Sequence, residues 1–296
     1  MNDRRNEGVA PSRPGNSTRF GVILGTSAAM IAFAGNSLLS RAAFQATSID
    51  ATSFTAVRLC AGAITLTAIL SYQGTKPRLR GTTLWSALLL FVYAVTFSFA
   101  YRSISAGAGA LILFASAQLL MIGYGYARGE RSSLLGVVLA LGGLVAFLVP
   151  AMSESVPLPA IALMLVSGVA WGGYSIIGQG SESPIASTAG SFLMTVPLCA
   201  AMLAIDHTSL KIDVHGVVYA VLSGSLASAV GYAIWYWVRT RMTAINAGCV
   251  QLSVPIISAA MGATFLGEKI TLYSAAAALV TLSGVLWVSL ASRRGR

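Results

Sequence analysis

Charge is scarce in this sequence: Asp, Glu, Lys and Arg make up only 9% of its 296 residues, against roughly 25% in an ordinary soluble domain. Acid is scarcer still, with nine carboxylates against nineteen basic residues. The two histidines, His207 and His215, have no cysteine near them, so they do not have the spacing of a metal site. The three cysteines, Cys60, Cys199 and Cys249, lie inside apolar stretches and read as small buried hydrophobes, not a disulfide or zinc framework. The carboxylates, Asp3, Glu7, Asp50, Glu130, Glu154, Glu182, Asp206, Asp213 and Glu268, all avoid the middle of the long apolar runs. Buried ionisable groups usually mark ion or proton pathways, so this placement argues against a carboxylate proton relay and against export of permanently cationic drugs. It also argues against an intramembrane protease or transferase, which needs a histidine, facing carboxylates or a metal cluster at depth. No cofactor and no metal is expected.

What is present is apolar length: 56% of the chain is hydrophobic. A membrane crossing takes about 20 mostly apolar residues, because only a helix satisfies its own backbone there. Ten such runs lie near Gly21 to Leu39, Ser53 to Tyr72, Leu84 to Tyr101, Ala106 to Tyr126, Leu134 to Met152, Leu158 to Ile177, Ile185 to Ile205, Gly216 to Trp237, Ala244 to Leu266 and Ile270 to Leu290. The expected fold is an all-α integral membrane protein of ten transmembrane helices. Met1 to Arg19 is polar, lacks the apolar core of a signal peptide and reads as a disordered tail.

The formal charge of +10 is explained by topology, not by nucleic acid. With the N-terminus inside, the inner segments hold Arg4, Arg5, Arg13, Arg19, Lys76, Arg78, Arg80, Arg128, Arg131, Arg239, Arg241, Arg293, Arg294 and Arg296. The outer loops hold Arg41, Arg102, Lys211 and Lys269, and Arg58 lies within a span. Basic residues are retained in cytoplasmic loops, so both termini are expected to be cytoplasmic.

The two halves resemble each other at an offset of roughly 138 residues. Thr55-Ala-Val-Arg-Leu-Cys-Ala61 aligns with Met194-Thr-Val-Pro-Leu-Cys-Ala200, and Gly129-Glu130-Arg131 with Gly267-Glu268-Lys269. Phe33-Ala-Gly-Asn-Ser37 matches Trp171-Gly-Gly-Tyr-Ser175 in its small residues. Because each half has an odd number of spans, the second enters from the opposite face. The expected units are a tail at 1–19, two inverted five-helix repeats at 20–152 and 153–290, and a cytoplasmic tail at 291–296. Inverted repeats commonly build transporters with a midplane site between the halves.

These features resemble the EamA-like branch of the drug/metabolite transporter superfamily. The resemblance lies in Gly129-Glu130 with Gly142-Gly143, in Gly267-Glu268 with Gly284, and in the Val254-Pro255 step, for which the first half has Ser116-Ala117 instead. It covers nearly the whole chain after Arg19. The resemblance implies two five-helix repeats and membrane transport, and it is closest to the bacterial exporters of aromatic and other hydrophobic amino acids.

Several residues could line a cavity. Tyr93, Phe97 and Trp171 lie deep enough for its wall or for plain packing, and Tyr232 belongs to an aromatic group in the eighth span. The rest of that group, Trp235 to Trp237, reads as an interfacial anchor beside Arg239. Buried amides and hydroxyls need partners, which singles out Asn36, Ser116, Gln118, Asn246, Gln251 and Ser253 as site residues or as interhelical glue. Pro255 would free a carbonyl one turn earlier, as a hinge or exposed acceptor. Arg58, about five residues or roughly 8 Å into its span, snorkels to water or pairs with backbone carbonyls, or else attracts a substrate carboxylate. Gly107-Ala-Gly109 and Gly172-Gly173 read as packing surfaces. The expected activity is facilitative, alternating-access export of small zwitterionic or neutral molecules, amino acids first, by a monomer in the lipid bilayer. The alternative is a proton-coupled multidrug or general metabolite exporter.

Overall fold

A computed structural model describes residues 16–129, 133–153, 157–178, 181–239, 241 and 250–291. Among the described residues it is helical throughout, with no strand. The helices are α1 (Asn16–Ala46), α2 (Ala51–Tyr72), α3 (Thr83–Tyr101), α4 (Ala106–Ala127), α5 (Leu134–Ser153), α6 (Leu158–Gly178) and α7 (Pro184–Ile205). Next comes α8, made of Val214–Leu222, a π-helical stretch Ser223–Val230 and an α-helical end Gly231–Arg239. It is followed by α9 (Ser253–Leu266) and α10 (Leu272–Ala291). Among the described residues, seven of these are long and apolar enough to cross a membrane: α1 to α4, α6, α7 and α8. α5, α9 and α10, with the apolar stretches Leu134–Ala146, Ser253–Leu266 and Leu272–Trp287, stand where the fifth, ninth and tenth spans were expected. The start of the expected ninth span, residues 244–249 with Asn246 and Cys249, lies outside the described residues.

Local chemistry sets the helix ends. Asp50 caps α2 by accepting from the Ser53 amide at 2.8 Å, and it also accepts from the Lys211 amide at 2.7 Å. That second bond ties the α1–α2 turn to the α7–α8 connection. Although partial burial pushes its carboxyl up, these hydrogen bonds prevail and hold it below its usual range. At the opposite end of the bundle the Arg78 amide donates to the Ala186 carbonyl, and Arg78 pairs with Glu182. Gly267 follows α9 with φ +65°, and Gly129 follows α4 with φ +83°. Both are left-handed positions that favour glycine, which explains why glycine recurs at matching places in the two halves.

Helix packing follows a regular exchange. The contacts of α1 with α9, of α1 with α8 and of α2 with α8 correspond to those of α6 with α4, of α6 with α3 and of α7 with α3. The pairs α2–α7, α4–α9 and α5–α10 map onto themselves when each helix is replaced by the one five places along. A Cβ on Gly143 of α5 would lie 2.5 Å from the Thr281 nitrogen, and one on Gly284 of α10 would run into Ala140. The α5–α10 pair therefore closes backbone to backbone. Large apolar side chains such as Ile31, Ile64, Val138, Val166, Ile256 and Phe265 face outward, as expected of a surface against lipid.

Candidate functional site

Inside the bundle, α1, α3, α4, α6 and α8 surround a small cavity. Phe33, Asn36 and Ser37 of α1 line one side, with Tyr93 and Phe97 of α3. Trp171 of α6 and Tyr232 of α8 close it, with Leu113 and Phe114 of α4 and Ala227 and Ser228 of the π-helical stretch filling the remaining wall. The free space between them is about that of one or two waters, so the cavity is shut to anything larger.

The rings form a continuous chain. Trp171 stacks on Tyr232 at 5.4 Å with 19° between planes and lies 5.1 Å from Tyr93. Tyr93 and Phe97 are 5.4 Å apart, and Phe97 meets Tyr101 edge-on at 4.6 Å. Phe33 contacts Tyr232 at 5.7 Å and Trp235 at 6.0 Å. Such tilted and offset pairs are the arrangements that ring quadrupoles favour.

One polar network crosses this wall. The Ser223 hydroxyl donates to Asn36 Oδ1 at 2.6 Å, and Asn36 Nδ2 donates to the Tyr93 hydroxyl at 3.2 Å. Arg58 Nη2 donates to the same hydroxyl at 3.0 Å, while its guanidinium carbon lies 4.6 Å from the Phe97 ring centre and 5.3 Å from that of Tyr93. Arg58 is 2% exposed, so it does not snorkel to water. It is the eighth residue of α2 and lies about 10 Å from its start, deeper than expected, because Asp50 begins the helix earlier than the apolar run suggested. Its Nη1 has no hydrogen-bond partner among the described residues.

Of the residues singled out in the sequence, Asn36, Tyr93, Phe97, Trp171 and Tyr232 converge on the cavity, and Arg58 lies directly behind it. Ser116 does not line it: its hydroxyl returns to the Ile112 and Leu113 carbonyls at the close approach of Gly168. Gln118 is buried and Gln251 half-buried, both outside the lining, and Ser253 donates to the Val250 carbonyl at 2.7 Å. Pro255 falls in the first turn of α9, where an amide lacks an intrahelical partner anyway. The helix is interrupted at Leu252, three residues before it. Trp235 is buried against Phe33 and is no interfacial anchor, whereas Trp237 is exposed. Tyr236 joins a second network, accepting from Thr188, which accepts from Tyr174. The sequence reading missed Phe33, Ser37, Ser223 and Ser228. Nothing in the apolar run around Ser223 announces a π-helix, a feature frequent at functional sites.

Residues 158–290 match the model of the EamA-like transporter family. An uncharacterized protein of Pseudomonas aeruginosa is 46% identical over 278 residues, covering 93% of this chain and 96% of its own length. A crystal structure of a protein aligns with a TM-score of 0.67 at 17% identity, over 93% of this chain and 99% of that one, which shows a shared fold. The matched residues make up the second half of a bundle already multi-pass by its apolar helices, and they place the chain with the EamA-like family of membrane transporters.

Proposed function

We propose that the protein exports aromatic and other neutral hydrophobic amino acids by alternating access at the cavity between its two halves. In this reading α5, α9 and α10 also cross the membrane, giving ten spans in two inverted repeats with both termini cytoplasmic in a bacterial inner membrane. The exchange symmetry of the helix pairs supports the repeats, and the excess of Lys and Arg at one set of connections supports the orientation.

One observation carries the substrate class. The cavity wall is a run of stacked rings, its polar groups are Asn36, Tyr93, Ser37 and Ser228, and no carboxylate is among its lining residues. An apolar, aromatic wall with a few fixed polar groups suits a small amphipathic molecule. The cavity as it stands is closed, so entry requires α3 and α6 to part from α1 and α8. Without a carboxylate in the wall, transport runs down the substrate gradient.

Liposomes containing the purified protein and preloaded with labelled phenylalanine are expected to release it without a proton gradient or a membrane potential. A strict need for either would defeat facilitated transport. Cells overproducing the protein are expected to resist toxic aromatic amino-acid analogues. Resistance to none of a panel, together with resistance to uncharged drugs, would shift the reading to a multidrug or metabolite exporter.

A further inference from the structure

We infer that Arg58 and Tyr93 form an anion-recognition site, so that the group read on the substrate is its carboxylate and the amine is dispensable. The inference rests on the transport reading above and widens its substrate class to aryl monocarboxylates.

A buried guanidinium is normally paired. Arg58, buried on α2, has no carboxylate partner among the described residues, and one of its terminal nitrogens is unpartnered. Its compensation is the Tyr93 hydroxyl and two ring faces. The Tyr93 oxygen accepts from both Arg58 and Asn36, so its own proton is left to donate elsewhere, and the ring that carries it lines the cavity. A carboxylate entering there would receive a hydroxyl polarised by the cation behind it. With the Tyr93 ring displaced, the same carboxylate could take the free Arg58 nitrogen directly.

An ammonium group fares worse in the same place. The Asn36 carbonyl oxygen is already engaged by Ser223, and the nearest full charge is positive. The repeat also makes this cation one-sided, since Pro197 stands in the second half where Arg58 stands in the first.

The test is competition in liposomes preloaded with labelled phenylalanine, comparing 3-phenylpropanoate, which lacks the amine, with 2-phenylethylamine, which lacks the carboxylate. Protein-free liposomes correct for passive leak, and labelled 3-phenylpropanoate uptake is followed in parallel. The acid should compete within about threefold of phenylalanine, and the amine at least about tenfold more weakly, the size of one lost charge-assisted hydrogen bond. R58Q should erase that preference and R58K should retain part of it, with both variants first shown to be monodisperse and to melt cooperatively. Equal or better competition by the amine, or an unchanged preference in R58Q, overturns the inference while phenylalanine release stands. Uptake of the acid without phenylalanine release would overturn the amino-acid reading and leave the anion site standing. Transport of neither overturns both.

Discussion

Glu268 follows the last turn of α9, yet both its carboxylate oxygens accept from the Ala106 amide at the start of α4, at 2.9 and 3.0 Å. Arg41 of α1 reaches the same carboxylate at 3.4 Å and also donates to the Tyr101 and Arg102 carbonyls. The turn at Gly267 aims the side chain back into the bundle, so one acid joins α1, α4 and α9. A carboxylate at a helix N-terminus is well placed electrostatically.

Burial nevertheless raises the Glu268 carboxyl above its ordinary 4.5, against the lowering pull of the Ala106 amide and Arg41. A raised carboxyl means that the folded protein holds the proton more tightly. Its stabilising effect is complete below the unfolded value and is lost as pH rises through the folded one. The melting temperature of the wild type in detergent is expected to rise relative to that of Glu268→Gln as pH falls from 7 toward 4.5. A constant difference across that range would exclude the linkage.

Gly142 and Gly143 are neighbours with opposite surroundings. A Cβ on Gly142 meets nothing, whereas one on Gly143 meets the Thr281 backbone and hydroxyl of α10. Gly143→Ala should cost about 1–3 kcal/mol by forcing α5 and α10 apart, and Gly142→Ala should lie within about 0.5 kcal/mol of wild type. Thermal melts of the two single variants decide the matter.

Trp171 touches three other rings, Tyr232, Tyr93 and Tyr174. Trp171→Ala removes all three contacts and should raise KM for phenylalanine release about tenfold, while Trp171→Phe should stay within about threefold. Concentration series in liposomes separate KM from maximal rate. A fall in maximal rate alone would assign Trp171 to the moving parts instead of the binding wall.

Much of this was legible in the sequence. Gly129 and Gly267 stood out as a repeated pair, and each proved to be a left-handed helix stop. Tyr93, Phe97 and Trp171 stood out as deep aromatics, and each lines the cavity. Other features were hidden because they depend on partners far along the chain. Glu268 was legible only as part of the Gly267-Glu268 pair, since only the fold brings Ala106 beneath it. Trp235 looked like an anchor because Arg239 is its neighbour in sequence, while its neighbour in space is Phe33. Ser223 gave no signal, being one small polar residue in a run of others.

The sequence by itself determined that the chain buries its backbone in helices and turns its bulk toward lipid, because its scarcity of charge leaves no other stable arrangement. Apolar length and the placement of Lys and Arg are properties of local segments, so they can be read locally. Tertiary structure alone decided which polar atoms meet: that Arg58 bonds Tyr93, that Ser223 turns to Asn36, and that one guanidinium nitrogen is left without a partner among the described residues. Those pairings join residues 35 and 187 positions apart, and only the packing of the helices sets such distances.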